Sequence, residues 1–399
     1  MDRNKSKKNN GITLIALIIT IIVMLILVAV TINMAINGGL FENAGKAVKE
    51  TQNAINREQQ LGIGGIIDQY VYNISEEVAN LPTYSEELLD ETTKVLTTNA
   101  KYISGNQVAV IPKGFKVSDV TEEQEIGTGL VIKDANNNEF VWIPVTDDLG
   151  KSYSYDSYFS EPTELTSTWS GSTNETKPQY DNQEILDELY GTDNPYIYTR
   201  DFKYEDEYAE MMRCVNANNG FYIGRYETTI DDDGNIGSKY NTTVLTAGTT
   251  LFTKESTNYP YRWYGLYYAQ KNANVTGNGE DVQTAMIYGV LWDKAMEFIR
   301  TQKAAGKTKY NVDSATPSWH PGYLGSVVKS GQANSGDVAL NIWDLESNAY
   351  EWTQEAGSSN SRVLRGGDYR VSYYASNRCG DYPTGTYTGF SSRLALYIK

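Results

Sequence analysis

The run from Ile12 to Ile36 contains no charged residue and is apolar over most of its length, and no other feature restricts the chain so strongly. As a helix rising 1.5 Å per residue it spans roughly 35 Å, enough for the hydrocarbon core of a bilayer. Arg3, Lys5, Lys7 and Lys8 precede it. Basic flanks stay on the cytoplasmic side, so everything after Asn37 is expected outside. A cleaved secretory signal is the rival, but its apolar stretch would be shorter and followed by a small-residue cleavage site. The expected localisation is therefore membrane-anchored or pilus-associated, with the bulk of the chain at the cell surface.

Lys7-Lys8-Asn9-Asn10-Gly11 followed by Ile12-Thr13-Leu14-Ile15 resembles the leader of type IV prepilins and pseudopilins. The resemblance implies processing between Gly11 and Ile12 by a prepilin peptidase, and other pilins as partners. Ala16 departs from the pattern: pilins carry a glutamate there that meets a neighbouring subunit's N-terminal amine. Without that carboxylate the helix is wholly apolar and suits a simple anchor. The expected division is a leader over 1–11, a transmembrane helix and stalk over 12–60 and a connector over 61–107. In the stalk, Phe41, Ala44, Val48 and Ile55 fall near helical spacing.

The 399 residues carry a formal charge of −16, with a pI near 4.7. Phosphate binding needs clustered Lys and Arg, so nucleic acid is not expected as a partner. There are two cysteines, Cys214 and Cys379, too few for a disulfide scaffold or a paired zinc module. They are read either as a bridge or as two free buried thiols. The one histidine, His320, lies in a turn-like Ser-Trp-His-Pro-Gly and has no second histidine with which to form a two-histidine metal site.

From Val108 onward the texture is short strand-like runs separated by turns. Val108–Pro112, Gly129–Lys133 and Phe140–Pro144 read as strands, with a turn at Ala135–Asn138 between the last two. Helices are expected at Ile185–Tyr190 and at Val290–Lys303, where Leu291, Ala295, Phe298 and Ile299 share a face. The class is α+β. Residues 151–199 are rich in Ser, Thr, Tyr and Asn and read as an insertion over a fixed scaffold.

Several ordered motifs resemble the formylglycine-generating, or sulfatase-modifying, family. They are Phe140-Val-Trp-Ile-Pro144, Gly220-Phe-Tyr-Ile-Gly-Arg-Tyr-Glu227, Tyr288-Gly-Val-Leu-Trp-Asp-Lys-Ala295, Asn341-Ile-Trp-Asp-Leu345 with Ser347-Asn-Ala-Tyr-Glu-Trp-Thr353, Arg362-Val-Leu-Arg-Gly-Gly-Asp-Tyr369, and Gly389-Phe390 through Arg393-Leu-Ala-Leu396. The resemblance covers 108–399 and implies a C-type-lectin-like fold. Oxidase members of the family use a nearby pair of cysteines to bind copper, whereas this chain offers Cys379 alone in that region. No copper and no catalytic residues are therefore expected, although Arg378 stands where it could activate the Cys379 thiol. Asn348 and Glu351 match family positions that help hold calcium. The alternative is that Glu351 and Trp352 stabilise the central loop through hydrogen bonds and core packing.

Family relatives include receptor-binding proteins whose C-terminal loops are rewritten by diversity-generating retroelements. Between Asp368 and Ile398 this chain has no Lys, Glu, Gln, Met, Trp or His, while Tyr, Ser, Asn, Arg, Thr and Gly dominate. Adenine-directed mutagenesis of asparagine codons yields that alphabet, and adaptable paratopes use the same one. The expected ligand-binding residues are Asp368, Tyr369, Tyr373, Tyr374, Ser376, Asn377, Asp381, Tyr382 and Tyr387, with protein or carbohydrate as ligand. Tyr373, Tyr374, Ser376, Asn377, Asp381, Tyr382 and Tyr387 are expected to be exposed, and Arg365, Gly366, Gly367, Gly389, Phe390 and Arg393 to hold the frame. Three readings result: a surface binding protein, a minor pilin, and an oxidase-like enzyme.

Overall fold

Phe140-Val-Trp-Ile is apolar at every position, which demands cover on both faces of its strand. The computed structural model describes residues 75–146, 152–154, 163–165, 204–252, 258–260, 262–314, 325–358, 361–371, 373–382, 385 and 387–399. The leader, the apolar run Ile12–Ile36 and its stalk, the helix expected at Ile185–Tyr190 and His320 all lie outside these residues. Among the described residues no helix is long and apolar enough to cross a membrane. Val71–Lys399 forms one unit.

Three helices matter to the architecture: α1 (Tyr204–Asn218), α2 (Arg262–Lys271) and α3 (Gly289–Ala304). The strands that carry it begin with β1 (Ala100–Ser104), β2 (Gln107–Ile111), β3 (Phe115–Val117), β4 (Val131–Asp134), β5 (Glu139–Pro144) and β6 (Gly220–Gly224). They continue with β7 (Val282–Met286), β8 (Tyr350–Ser358), β9 (Ser361–Arg365), β10 (Arg378–Asp381), β11 (Phe390–Ser392) and β12 (Leu394–Ile398). The fold is mixed α+β and mostly sheet.

A six-stranded sheet runs β7-β12-β6-β5-β4-β3, antiparallel throughout. The β4–β5 hairpin is the one that the sequence predicts. Its turn is closed by Asp134, whose Oδ1 accepts from the backbone N–H of Asn136 (2.9 Å) and Asn138 (2.7 Å). Successive side chains of a strand point to opposite faces, and here both faces are buried. Phe140, Trp142, Leu394 and Leu396 join one core cluster, with α2 and the β1–β2 hairpin. Val141, Ile143, Ala395 and Tyr397 join the other, with α1 and α3. Full burial of a side chain such as Phe115 or Phe140 stabilises by about 1.5–3 kcal/mol.

The helix expected at Val290–Lys303 is α3, and Leu291, Ala295, Phe298 and Ile299 form its buried face as the spacing predicts. The boundary drawn at 107/108 falls inside β2, and Val78, Leu96 and Ala100, from the stretch expected to be connector, join the first core cluster. Hydrophobic burial there comes from residues spread thinly through Glu-rich and Thr-rich sequence, which gives no periodic signal. Within 151–199, Ser152–Ser154 and Thr163–Leu165 pair antiparallel.

A second sheet runs β10-β9-β8-β11, with β8 and β11 parallel so that Tyr350 faces Phe390 and Trp352 faces Ser392. Arg393 alone separates β11 from β12, so it stands where the chain crosses from this sheet to the larger one. The second sheet carries the C-terminal segment that the sequence singles out.

Candidate functional site

The turn after β9 begins at Gly366, whose φ of +71° lies in the left-handed region that glycine enters without steric cost. A Cβ on the next glycine, Gly367, would meet Glu346 O at 2.4 Å and Tyr373 N at 2.5 Å, so only glycine lets the two segments approach. Asp368 then ties the turn together. Its Oδ1 accepts from the backbone N–H of Arg370 (2.9 Å) and Val371 (3.0 Å). Its Oδ2 accepts from Arg370 Nε (3.0 Å) and Nη2 (2.8 Å).

Arg370, half-exposed, lies over the Tyr387 ring at 4.4 Å and over the Tyr369 ring at 5.6 Å. From Tyr387 the aromatic contacts continue to Phe390 (5.0 Å), Tyr350 (6.1 Å) and Tyr373 (6.2 Å). Phe390 also meets the buried Trp352 at 5.3 Å, edge to face, which anchors the series in the core. Offset and edge-to-face ring pairs of this kind add about 0.5–1.5 kcal/mol each beyond their burial. The exposed large hydrophobic side chains here are Val371 (42% exposed), Tyr373 (42%) and Tyr382 (54%).

The expected residues are thus divided between surface and frame. Tyr373 and Tyr382 are exposed, and Tyr369, Tyr374, Asp381 and Tyr387 are partly so. Ser376 and Asn377, expected at the surface, are buried, as is Asp368. Ser376 Oγ donates to Asp313 (3.0 Å), its N–H to Val312 O (2.9 Å), and Asn377 Nδ2 to Gly366 O (3.2 Å). Their polar atoms are engaged in holding the loop against the domain. Arg365, Gly366, Gly367, Gly389, Phe390 and Arg393 are all buried, as a frame requires.

Both cysteines are free thiols, Cys214 buried in α1 and Cys379 at the surface on β10. Arg378 does not activate Cys379: its guanidinium pairs with the buried carboxylate of Glu355. Desolvation of the thiol, with the charges of Asp381 and Asp368 adding to it against Arg365, pushes it up to about 11.

Beneath the face lies a buried polar cluster that sequence reasoning did not foresee, centred on Glu227 and Asp344. Glu227 accepts from Asn348 Nδ2 (2.6 Å) and from Ala349 N–H (3.0 Å). Asn348 Oδ1 accepts from Val328 N–H (2.9 Å), and its backbone oxygen from Tyr369 N–H (2.8 Å). Burial, with Asp344 and Glu351 adding negative charge, raises the Glu227 carboxyl well above the ordinary range. Burial, then the charge of Asp337, pushes Asp344 up to about 8. A signal existed at the loop: Asp344 and Asn348 take left-handed φ of +59° and +66°, which Asp and Asn tolerate better than other side chains.

Asn348 and Glu351 do not fit calcium as they stand. Both oxygens of Glu351 accept from Arg393 Nε, at 3.1 and 2.9 Å, and the Asn348 amide is used at both ends, so a cation would have to displace a guanidinium. Among the described residues no group of three or more His, Cys, Asp or Glu side chains is arranged to hold a metal ion.

No family model matches this chain, and no curated protein matches it. Among solved structures it is similar to the crystal structure of CarF, at 13% identity over 45% of this chain and 87% of that one, with a TM-score of 0.30. PvdO from Pseudomonas aeruginosa gives 11% identity over 45% and 82%, with a TM-score of 0.27. Treponema denticola variable protein 1 gives 13% identity over 71% and 99%, with a TM-score of 0.26. At these scores the likeness carries no argument about activity.

Proposed function

We propose that this chain is a surface-displayed ligand-binding protein, a C-type-lectin-like domain of the formylglycine-generating type carried on the pilin-like helix Ile12–Ile36, with its binding face between Asp368 and Tyr387. The observation that carries the reading is where large apolar side chains stand exposed. Of the six that do so among the described residues, Val371, Tyr373 and Tyr382 fall within this one segment, the others being Ile103, Val120 and Tyr240. Exposed Tyr and Arg on loops over a rigid frame are the composition of binding hot spots. The partner is a protein or a carbohydrate, and the Tyr-rich and Ser-rich alphabet of the segment favours a face diversified by a retroelement. The reading assigns no catalysis, because Cys379 has no partnering thiol nearby in sequence and its own pKa is driven upward.

Two experiments test it. Cells displaying the full chain, wild type or carrying Tyr369→Ser, Tyr373→Ser and Tyr382→Ser together, are passed over immobilised glycans and surface-protein extracts. Binding by the wild type alone supports the face, and equal binding by the triple variant overturns it. Sequencing the locus across related strains tests diversification. Adenine-directed changes confined to codons near 368–388, sparing Gly366, Gly367, Phe390 and Arg393, are expected, and a uniform stretch removes the retroelement.

A further inference from the structure

Thr228 and Gln270 are fully enclosed, each at 0% exposure, although both carry polar side chains. They belong to distant segments, Thr228 just before the short strand Thr229–Ile230 and Gln270 near the end of α2. The fold sets them against each other, with Gln270 Nε2 donating to Thr228 Oγ1. Nothing else engages the amide: Gln270 Oε1 has no partner among the described residues. Buried polar groups are paired as a rule, so an amide this poorly satisfied calls for a role other than hydrogen bonding.

Both backbones are pinned where these side chains meet. Thr228 N–H donates to Ser392 O at 2.9 Å, and the Thr228 carbonyl accepts from Leu245 N–H at 2.8 Å. The Gln270 carbonyl accepts from Thr284 Oγ1 at 2.7 Å. Leu245, and Leu266 one turn before Gln270 on α2, belong to the first core cluster, so the pair sits in an apolar setting. Two groups held side by side in this way react at effective concentrations of about 10⁵–10⁸ M when well aligned. Exclusion of water then protects the product from hydrolysis.

From this arrangement we propose that Thr228 and Gln270 join in an intramolecular ester. Thr228 Oγ1 bonds to Gln270 Cδ, the Cδ–Nε2 bond breaks, and the hydroxyl proton passes to the nitrogen in contact with it, which departs as ammonia. No oxidant or reductant is consumed. The ester has no N–H, so the poorly satisfied donors of the amide are removed. It ties α2 covalently to the segment after Glu227, a staple that the two free cysteines do not supply. The cross-link is independent of the C-terminal binding face, and the two stand or fall separately.

Mass spectrometry of the full chain, purified in detergent and then denatured, tests it. The wild type is expected to be about 17 Da lighter than a linear chain with the same termini, the mass of one ammonia. Trypsin should release Tyr226–Lys239 joined to Trp263–Lys271. Hydroxylamine, which cleaves esters, should separate the two peptides and leave a hydroxamate at Gln270. Thr228→Val, which matches threonine in shape, should have the full mass and give no joined peptide. A wild type at full mass, with the two peptides released separately, overturns the proposal. So does a deficit that persists in Thr228→Val, which would place the loss of ammonia elsewhere in the chain. The joined peptide is read in the wild type itself, so the result does not depend on whether the variant folds.

Discussion

Arg393 grips the carboxylate of Glu351 through Nε, at 2.9 and 3.1 Å, with both side chains buried. Its Nη1 donates to Gly224 O (3.0 Å) and its Nη2 to Trp343 O (2.8 Å). A single side chain thus joins β6 of the large sheet, β8 of the second sheet and the short strand Ile342–Trp343 that precedes β8. The planar fork of arginine supplies these donors at fixed angles, which a lysine could not.

Arg393→Met should therefore destabilise the domain strongly, since it strands Glu351 as an unpaired buried charge. The expected loss is about 3–5 kcal/mol, read as a shift of the urea midpoint. Glu351→Leu added to Arg393→Met should recover much of it, because replacing both partners removes the desolvation cost. A single-variant loss under about 1 kcal/mol would show that the pair does not hold the sheets together.

The carboxyls beneath the face set an unusual pH dependence. Asp344 is raised to about 8 and Glu227 well above its ordinary value, so between the unfolded carboxylate range and these folded values the native state holds more protons than the unfolded state. Their contribution to stability is fully present only below the unfolded carboxylate range, about pH 4, and is lost as pH rises from there through the folded values, the Asp344 part levelling off above about 8, with a limiting slope of about 1.4 kcal/mol per pH unit for each proton. Melting temperatures measured from pH 5 to pH 9 should fall. Asp344→Asn should flatten the curve, because the amide oxygen can still accept the Gly331 N–H that Asp344 Oδ2 accepts at 2.7 Å. A melting temperature that rises across this range would contradict the buried protons.

The sequence was most legible where a signal is local. The β4–β5 hairpin and α3 follow from runs and spacings contained within a dozen or so residues, and the frame glycines Gly366 and Gly367 sit in a recognisable motif. Ser376 and Asn377 were misplaced because they share the polar alphabet of the loop, while what buries them, Asp313 and Gly366 O, arrives from other segments. Arg378 beside Cys379 reads as an activator until Glu355, on another strand, takes its charge. The proton-holding role of Glu227 was invisible for the same reason: a buried carboxyl is defined by its neighbours, and Asp344 and Asn348 lie more than a hundred residues away.

Cys379 offers a chemical check on that neighbourhood. With its thiol pushed up to about 11, the thiolate fraction near pH 8 is about a hundredfold below that of an unperturbed cysteine, and alkylation by iodoacetamide should slow by about the same factor. Mass spectrometry of timed samples reads this directly, with a model peptide as reference. Reaction at the peptide's rate would mean that the sulfur is open to water and that no burial raises it.

The division of the C-terminal segment into surface and frame predicts opposite stability effects for residues a few positions apart. Tyr373→Ser and Tyr382→Ser remove exposed side chains and should change stability by no more than about 0.5 kcal/mol each. Asn377→Ala, which frees the carbonyl of Gly366 in a buried site, should cost about 1–3 kcal/mol, and Phe390→Ala, which empties the junction of Trp352, Tyr350 and Tyr387, about 3–5 kcal/mol. Thermal and urea unfolding of the four variants decides the matter. If the two tyrosine variants unfold as readily as Phe390→Ala, those rings are core and the binding face loses its support. If only the frame variants are weakened, the segment is a displayed surface on a fixed scaffold, and loss of ligand by the tyrosine variants can be read as loss of contact and not of fold.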